Sequence, residues 1–168
     1  MRVLVSVASK HGATDEIGHV IAGALREAGV GAIEVEPETV AGIDAFDAFV
    51  LGSAVYAGRW QESMRKLVER ERDTLAIKPV WLFSSGPLGD PPVPAAEPID
   101  GAELKVRIGA REHRVFAGRL DRHELGIAER AIAAVVRAPD GDYRPWTEIR
   151  AWAADIARAL EKTPAGTR

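Results

Sequence analysis

A short apolar run over residues 2–7 (RVLVSV) constrains the fold of this chain more than any other feature. Residues 13–28 follow it closely, and their apolar positions recur every three or four residues. The first pattern predicts a parallel strand buried on both faces, and the second predicts an amphipathic helix. A strand that passes so directly into a helix indicates an α/β fold, in which helices connect parallel strands.

The same alternation continues along the chain. Short apolar runs predict further strands over residues 32–35, 49–53, 79–84 and 113–118. Helical spacing predicts helices over residues 61–72, 102–108, 124–137 and 145–160. We therefore predict one parallel sheet with helices on both faces, formed by a single domain over residues 1–161 and followed by a frayed tail over residues 162–168.

Composition excludes several function classes. The net charge is only −3 and the basic residues are dispersed, so we expect no nucleic-acid partner. The chain has no cysteine, which excludes disulfides, thiolate metal sites and iron–sulfur clusters, so redox chemistry would need a bound cofactor. No apolar run reaches 18 residues and the first residues do not form a signal-peptide pattern, which predicts a cytoplasmic protein without a transmembrane segment.

Ligands in open parallel sheets bind at the carboxyl ends of the strands, where the strand order reverses. The loops after the first, third and fourth predicted strands are therefore the candidate binding segments. The predicted binding residues are Ser9, Lys10, His11, Gly12, Ala13 and Thr14 in the first loop, Ser53, Ala54, Val55, Tyr56, Ala57 and Gly58 in the second, and Ser84, Ser85, Gly86, Pro87, Leu88, Gly89 and Asp90 in the third.

The first loop has the residues of a phosphate site. Backbone N–H groups at the start of the following helix, together with the Ser9 and Thr14 hydroxyls, can hold a phosphate, and Gly12 allows close approach. The alternative is that Thr14 and its neighbours only cap the helix. Neither GxxxxGK[ST] nor GxGxxG follows the first strand, so ATP and dinucleotide sites of those types are disfavoured. The acidic residues of a phosphorylated receiver domain are also missing from the strand ends.

The other two loops indicate a planar ligand. Tyr56 can stack on a ring, whereas for Trp60 the sequence leaves two alternatives, stacking on a ligand or packing beneath the next helix. The third loop begins with hydroxyls and a glycine, which can offer N–H donors to one edge of a ligand or can form a purely structural turn.

These residues resemble a known family. The first loop is similar to the flavodoxin pattern Thr/Ser-x-Thr-Gly-x-Thr, with His11 where a hydroxyl residue is usual. The series formed by this loop, GSAVYAGRW, FSSGP, FAGRL and GDYRPWTEIRAWAADIA resembles the flavodoxin-domain proteins related to menaquinone-dependent protoporphyrinogen dehydrogenases. The resemblance covers nearly the whole chain.

The resemblance implies a flavodoxin-like three-layer α/β sandwich. Its five-stranded parallel sheet would have the order 2-1-3-4-5, with an extra helix after the fifth strand. FMN would bind non-covalently, with its phosphate on the first loop and its isoalloxazine between the second and third loops. The function implied is an FMN-dependent oxidoreductase that passes electrons from a small organic substrate to a quinone.

Two alternatives to this enzyme stay open. One is a flavodoxin-type electron carrier between redox partner proteins, which the modest net charge disfavours because such carriers are usually strongly acidic around the flavin. The other is a protein of this fold that has lost FMN, which the histidine at position 11 keeps open. The apolar face of the helix over residues 124–137 is the candidate contact for a quinone, a membrane surface or a second copy in a homodimer, although most such faces are core. No metal site and no nucleophile–base pair is predicted, because the four histidines lack metal-ligand spacing.

Overall fold

The computed structural model describes residues 1–86, 98–120 and 140–162. The strands in chain order are β1 (Arg2–Ala8), β2 (Gly31–Glu34), β3 (Ala48–Tyr56), β4 (Arg59–Trp60), β5 (Val80–Ser85), β6 (Glu112–Phe116), β7 (Arg119–Leu120) and β8 (Gly141–Asp142). The helices are α1 (Ala13–Glu27), α2 (Glu62–Arg70), α3 (Arg72–Ile77), α4 (Ile99–Arg107) and α5 (Trp146–Glu161).

Five strands form one parallel sheet in the order β2-β1-β3-β5-β6. Numbered by the five long strands alone, this order is 2-1-3-4-5, so the predicted fold class is confirmed. The chain moves from β1 to one side of the sheet and then returns past β1 to β3. The order therefore reverses between β1 and β3, and this reversal leaves a crevice outside their carboxyl ends.

Helices cover both faces of the sheet because alternate strand residues point to opposite sides. On one face, Val3 and Val5 pack with apolar residues of α1 and α5 such as Ile17 and Trp152. On the other face, Leu4 belongs to a second cluster, which includes buried residues of α2, α3 and α4. Both clusters are almost fully shielded from solvent, so the sheet is the middle of three layers.

The third strand differs from its prediction. It begins one residue earlier than the predicted 49–53 and continues to Tyr56, because its last residues pair with β4 in an antiparallel hairpin. Ala57 and Gly58 alone form the turn, and both have positive φ, 51° and 76°. Two such residues define a type I′ turn, whose twist matches that of the paired strands. Most of the predicted second loop is therefore strand.

Some helix boundaries also differ from their predictions. The predicted helix over residues 61–72 is two helices, α2 and α3, which break at Glu71 and allow Leu75 to reach the core. The fourth helix begins earlier than predicted, directly after Pro98, while the last helix agrees with its prediction to within one residue at each end. The antiparallel pair formed by β7 and β8, two strands of two residues each, was not predicted. The predicted helix over residues 124–137 lies outside the described residues, as do positions 163–168 of the predicted tail.

None of the helices in the described ranges combines the length and the apolar character needed to cross a membrane.

Candidate functional site

Three strands end side by side at one edge of the sheet. Ala8 of β1 pairs with Ser53 of β3, which in turn pairs with Ser84 of β5. The loops that follow β1 and β5 and the hairpin at the end of β3 therefore share this edge, as the sequence predicts. Such an edge, beside the reversal of strand order, is where an α/β sheet binds its ligands.

The first loop leads into a helix that no side chain caps. Gly12 is the residue before α1, with a left-handed φ of 76°, and no capping hydrogen bond from a side chain occurs there among the described residues. The first backbone bond of the helix runs from the Glu16 N–H to the Gly12 carbonyl, at 3.1 Å. The N–H groups of Ala13, Thr14 and Asp15 therefore have no partner within the helix.

This geometry excludes one interpretation of Thr14, that it caps the helix. The residue is the second one of α1 and is 4% exposed, so it lies inside the helix and does not cap it. An uncapped helix start with free N–H donors and a positive dipole end is a ready anion site. The remaining loop residues lie at the surface around it, with Lys10 exposed and Ser9, His11 and Ala13 half-buried.

The end of the β3–β4 hairpin meets the first loop. The ring of Tyr56 lies edge-on to the ring of His11, with a centroid separation of 6.4 Å, and the Lys10 ammonium lies 5.6 Å from the Tyr56 centroid. Tyr56 is half-buried, so one part of its ring faces the protein and the other faces solvent. It remains the aromatic side chain at this edge best placed to contact a planar ligand.

Two predicted binding hydroxyls are turned inward. Ser53 and Ser84 are fully buried. The Ser53 hydroxyl donates to the Ala54 carbonyl at 2.9 Å and accepts from the Gln61 N–H at 2.8 Å. The Ser84 hydroxyl accepts from the Trp60 indole N–H at 2.7 Å and bonds the His113 imidazole at 2.8 Å. These side chains hold the strand ends together, because alternation along β3 and β5 points them under α2 and α4.

Trp60 also helps to hold these strand ends together. It is 2% exposed and belongs to the cluster beneath α2, so the packing alternative of the sequence analysis is the one observed. Its indole N–H is satisfied by Ser84 and its backbone N–H by Asp100.

The third loop is described only at its start. Ser85 is buried, and Gly86 lies so close to Val55 that an added Cβ would be 3.2 Å from the Val55 Cβ and carbonyl oxygen. This close approach explains a glycine at that position. The other predicted residues of this loop lie outside the described residues, and they are Pro87, Leu88, Gly89 and Asp90.

Sequence reasoning missed Asp100, which anchors the hairpin. Its carboxylate is nearly buried, accepts from the Trp60 N–H at 2.8 Å and from the Arg59 guanidinium at 3.2 Å, and lies 3.9 Å from Arg65. Its partners precede it by 35 to 41 positions, so no local pattern could have shown the contact.

We expect Asp100→Ala to lower the free energy of unfolding by about 2–3 kcal/mol, because the buried Trp60 N–H and the Arg59 guanidinium lose their acceptor and Arg65 loses its counter-charge. Urea unfolding followed by circular dichroism measures this change. Asp73→Ala is the matched control, since Asp73 is 95% exposed and its ion pair with Arg72 is long, at 3.5 Å. The control should change stability by less than about 0.5 kcal/mol. Equal effects in the two variants would contradict the anchoring role.

The segment before α5 also reaches the first loop. The buried Arg144 guanidinium makes a bidentate pair with Asp142, at 2.8 and 2.6 Å, and donates to the Ala13 carbonyl at 2.8 Å. Hydrogen bonds from this guanidinium lower the pKa of the Asp142 carboxyl, and the opposing effect of partial burial is smaller.

The lowered pKa of Asp142 predicts that the stability lost on its substitution depends on pH. Because the folded-state pKa lies below the ordinary 3.8, the ionised carboxylate stabilises the fold at any pH above that ordinary value and stops doing so as the pH falls through the folded-state pKa. Asp142→Asn should therefore cost about 2 kcal/mol at pH 7 and progressively less as the pH falls below 3.8, the ordinary pKa of the carboxyl. Urea unfolding of both proteins at several pH values tests this, and a constant gap across the range would contradict it.

A flavodoxin-domain family model matches residues 4–145. The chain belongs to the flavodoxin domain family. The flavodoxin domain described here is similar to a cysteine-to-serine mutant of the flavodoxin from Pseudomonas aeruginosa, with 21% identity, coverage of 96% of this chain and 99% of that chain, and a TM-score of 0.63. It is also similar to a flavodoxin from the domain Archaea, with 15% identity, coverage of 96% and 99%, and a TM-score of 0.68.

A larger protein contains a similar domain. Rubredoxin oxygen:oxidoreductase from the anaerobe Desulfovibrio gigas is 14% identical over 95% of this flavodoxin domain and 36% of that chain, with a TM-score of 0.67. At these identities the likeness shows the fold alone. No curated protein matches the sequence, so the narrower resemblance to protoporphyrinogen dehydrogenases stays a prediction.

Proposed function

We propose that this flavodoxin domain binds FMN and serves as an electron-transfer protein. The observation that carries the proposal is the uncapped start of α1, placed at the edge where β1, β3 and β5 end. Membership of the flavodoxin domain family supports the choice of ligand.

The residues present fit the two ends of FMN. The N–H groups of Ala13, Thr14 and Asp15 would hold the phosphate, and the left-handed Gly12 lets the backbone approach it. The Tyr56 ring offers an aromatic surface beside this site. Ser53 and Ser84 would not contact FMN but would hold the hairpin and the end of β5 in place by hydrogen bonds. When bound, the flavin would supply the redox chemistry, while the protein would set its orientation and its surrounding charge.

Asp15 adds a charge effect at the phosphate end. Burial raises the pKa of its carboxyl, and the charges of Glu36 and Glu38 raise it further. Both causes disfavour the ionised form of the carboxyl, because a partly buried or negatively charged environment destabilises a negative charge.

The second candidate function is an FMN-dependent dehydrogenase that passes electrons from a porphyrinogen to a quinone. The formal net charge of −3 favours it, because a carrier that docks on basic partners would profit from a more acidic surface. Its support is otherwise the sequence resemblance, whereas the solved structures quoted above with nearly complete mutual coverage are flavodoxins.

Reconstitution separates these functions. The purified protein is mixed with FMN, freed of unbound ligand, and examined by visible spectroscopy; a colourless protein contradicts both functions. The flavin-loaded protein is then reduced without oxygen and offered either a protein electron acceptor or a menaquinone analogue, the latter with and without protoporphyrinogen. We expect fast transfer to the protein acceptor. Turnover of protoporphyrinogen with the quinone would establish the dehydrogenase instead.

A further inference from the structure

A buried arginine joins the segment before α5 to the first turn of α1. The Arg144 side chain is 2% exposed, and besides its Asp142 pair and its bond to the Ala13 carbonyl it contacts the Glu16 carboxylate at 2.9 Å. Its guanidinium also lies 4.4 Å from the centroid of the Trp146 ring. Ala13 and Glu16 belong to α1 and Asp142 belongs to β8, so these contacts connect the guanidinium to both elements.

Glu16 creates an electrostatic conflict that this arginine resolves. Glu16 lies in the first turn of α1, where a carboxylate interacts favourably with the helix dipole but repels an anion bound to the same N–H groups. Two guanidiniums neutralise it, since Arg119 contacts one carboxylate oxygen at 3.1 Å and Arg144 contacts the other. With Asp142 included, the cluster holds two positive and two negative charges.

We propose that Arg144 is a positioning residue for the phosphate site, and this inference rests on the proposed function. It is too buried to touch the phosphate and acts through Ala13 and Glu16. Its bond to the Ala13 carbonyl fixes the first turn of the helix, and its charge cancels that of Glu16. The N–H groups of that turn can then hold a dianion without repulsion from an unpaired Glu16 carboxylate.

Arg144→Met tests this role by comparison of FMN with riboflavin, which lacks the phosphate. We expect the variant to raise the Kd for FMN about tenfold and the Kd for riboflavin less than about twofold. Flavin fluorescence quenching measures both. Adding Glu16→Gln to Arg144→Met removes the uncompensated carboxylate and should return the Kd for FMN to within about threefold of the wild-type value.

Two further variants keep the test decisive. Arg158→Met makes the same charge change on an exposed residue of α5 and should leave both Kd values unchanged. Arg119→Met removes the second cation from Glu16 without disturbing buried Arg144, and should raise the Kd for FMN about threefold even if Arg144→Met does not fold.

The outcomes separate this inference from the proposed function. Equal loss of FMN and riboflavin in Arg144→Met would show a purely structural role and overturn the inference. So would unchanged binding of FMN, failure of Glu16→Gln to restore it, or unchanged binding in Arg119→Met. A wild-type protein that binds neither flavin would overturn the proposed function, and the inference with it.

Discussion

Gly12→Val is expected to raise the Kd for FMN by about 100-fold, because FMN loses the contacts that hold its phosphate. Gly12 has a φ of 76°, which a β-branched residue adopts only at a cost of about 1–2 kcal/mol. No described atom lies within 4 Å of a Cβ at this position, so the valine side chain would occupy open space beside the start of α1. That space is where the phosphate would approach the N–H groups.

Gly29→Val is the matched control for this variant. Gly29 follows the other end of α1 with a φ of 80°, and it too has no described atom within 4 Å of an added Cβ. The two variants therefore carry the same backbone strain, and both should lose stability by similar amounts. Only Gly12→Val should lose FMN. If it binds FMN as the wild type does, the phosphate lies elsewhere.

Gly52→Ala is expected to cause the largest loss of stability, about 3 kcal/mol, because it adds a methyl group to a filled core. An alanine Cβ at Gly52 would overlap the Phe83 ring. That ring is fully buried and packs against Phe116 and Trp152, each at a centroid separation of 6.1 Å. Movement of the ring would push against Trp152 of α5 and Phe116 of β6.

The same substitution in α1 provides the control. Gly23 lies in the middle of the helix, and no described atom is within 4 Å of an added Cβ. Gly23→Ala should therefore raise the free energy of unfolding by about 0.5–1 kcal/mol, through helix propensity alone. Urea unfolding of both variants measures the difference. Stability changes of the same sign would contradict the packing described for Gly52.

The sheet and its helices were predictable because their signals are local. The apolar run in β1 and the helical spacing in α1 lie within 27 residues, and each can be recognised from a short stretch of sequence. The position of the candidate phosphate loop was predictable for the same reason, since residues 9–14 form one continuous segment that links β1 to α1. The strand order needed more than local signals, and the resemblance supplied it.

The supports of the site were not predictable, because their partners are far apart in the chain. Asp100 holds a hairpin 40 positions before it, and Arg144 bonds a carbonyl 131 positions before it. The inward direction of the Ser53 and Ser84 side chains was also not predictable from the residue types alone. Their residue types suit ligand binding, but strand alternation turns their hydroxyls inward, and the extension of β3 to Tyr56 depends on the antiparallel pairing with β4.

The central claim is that the free N–H groups at the start of α1 hold the phosphate of FMN. Amide NMR of the 15N-labelled protein, titrated with FMN and separately with riboflavin, tests it most directly. We expect the amides of Gly12, Ala13, Thr14 and Asp15 to shift strongly with FMN and only weakly with riboflavin, while amides near Tyr56 shift with both. Unchanged amides at the start of α1 in the presence of bound FMN would contradict the claim.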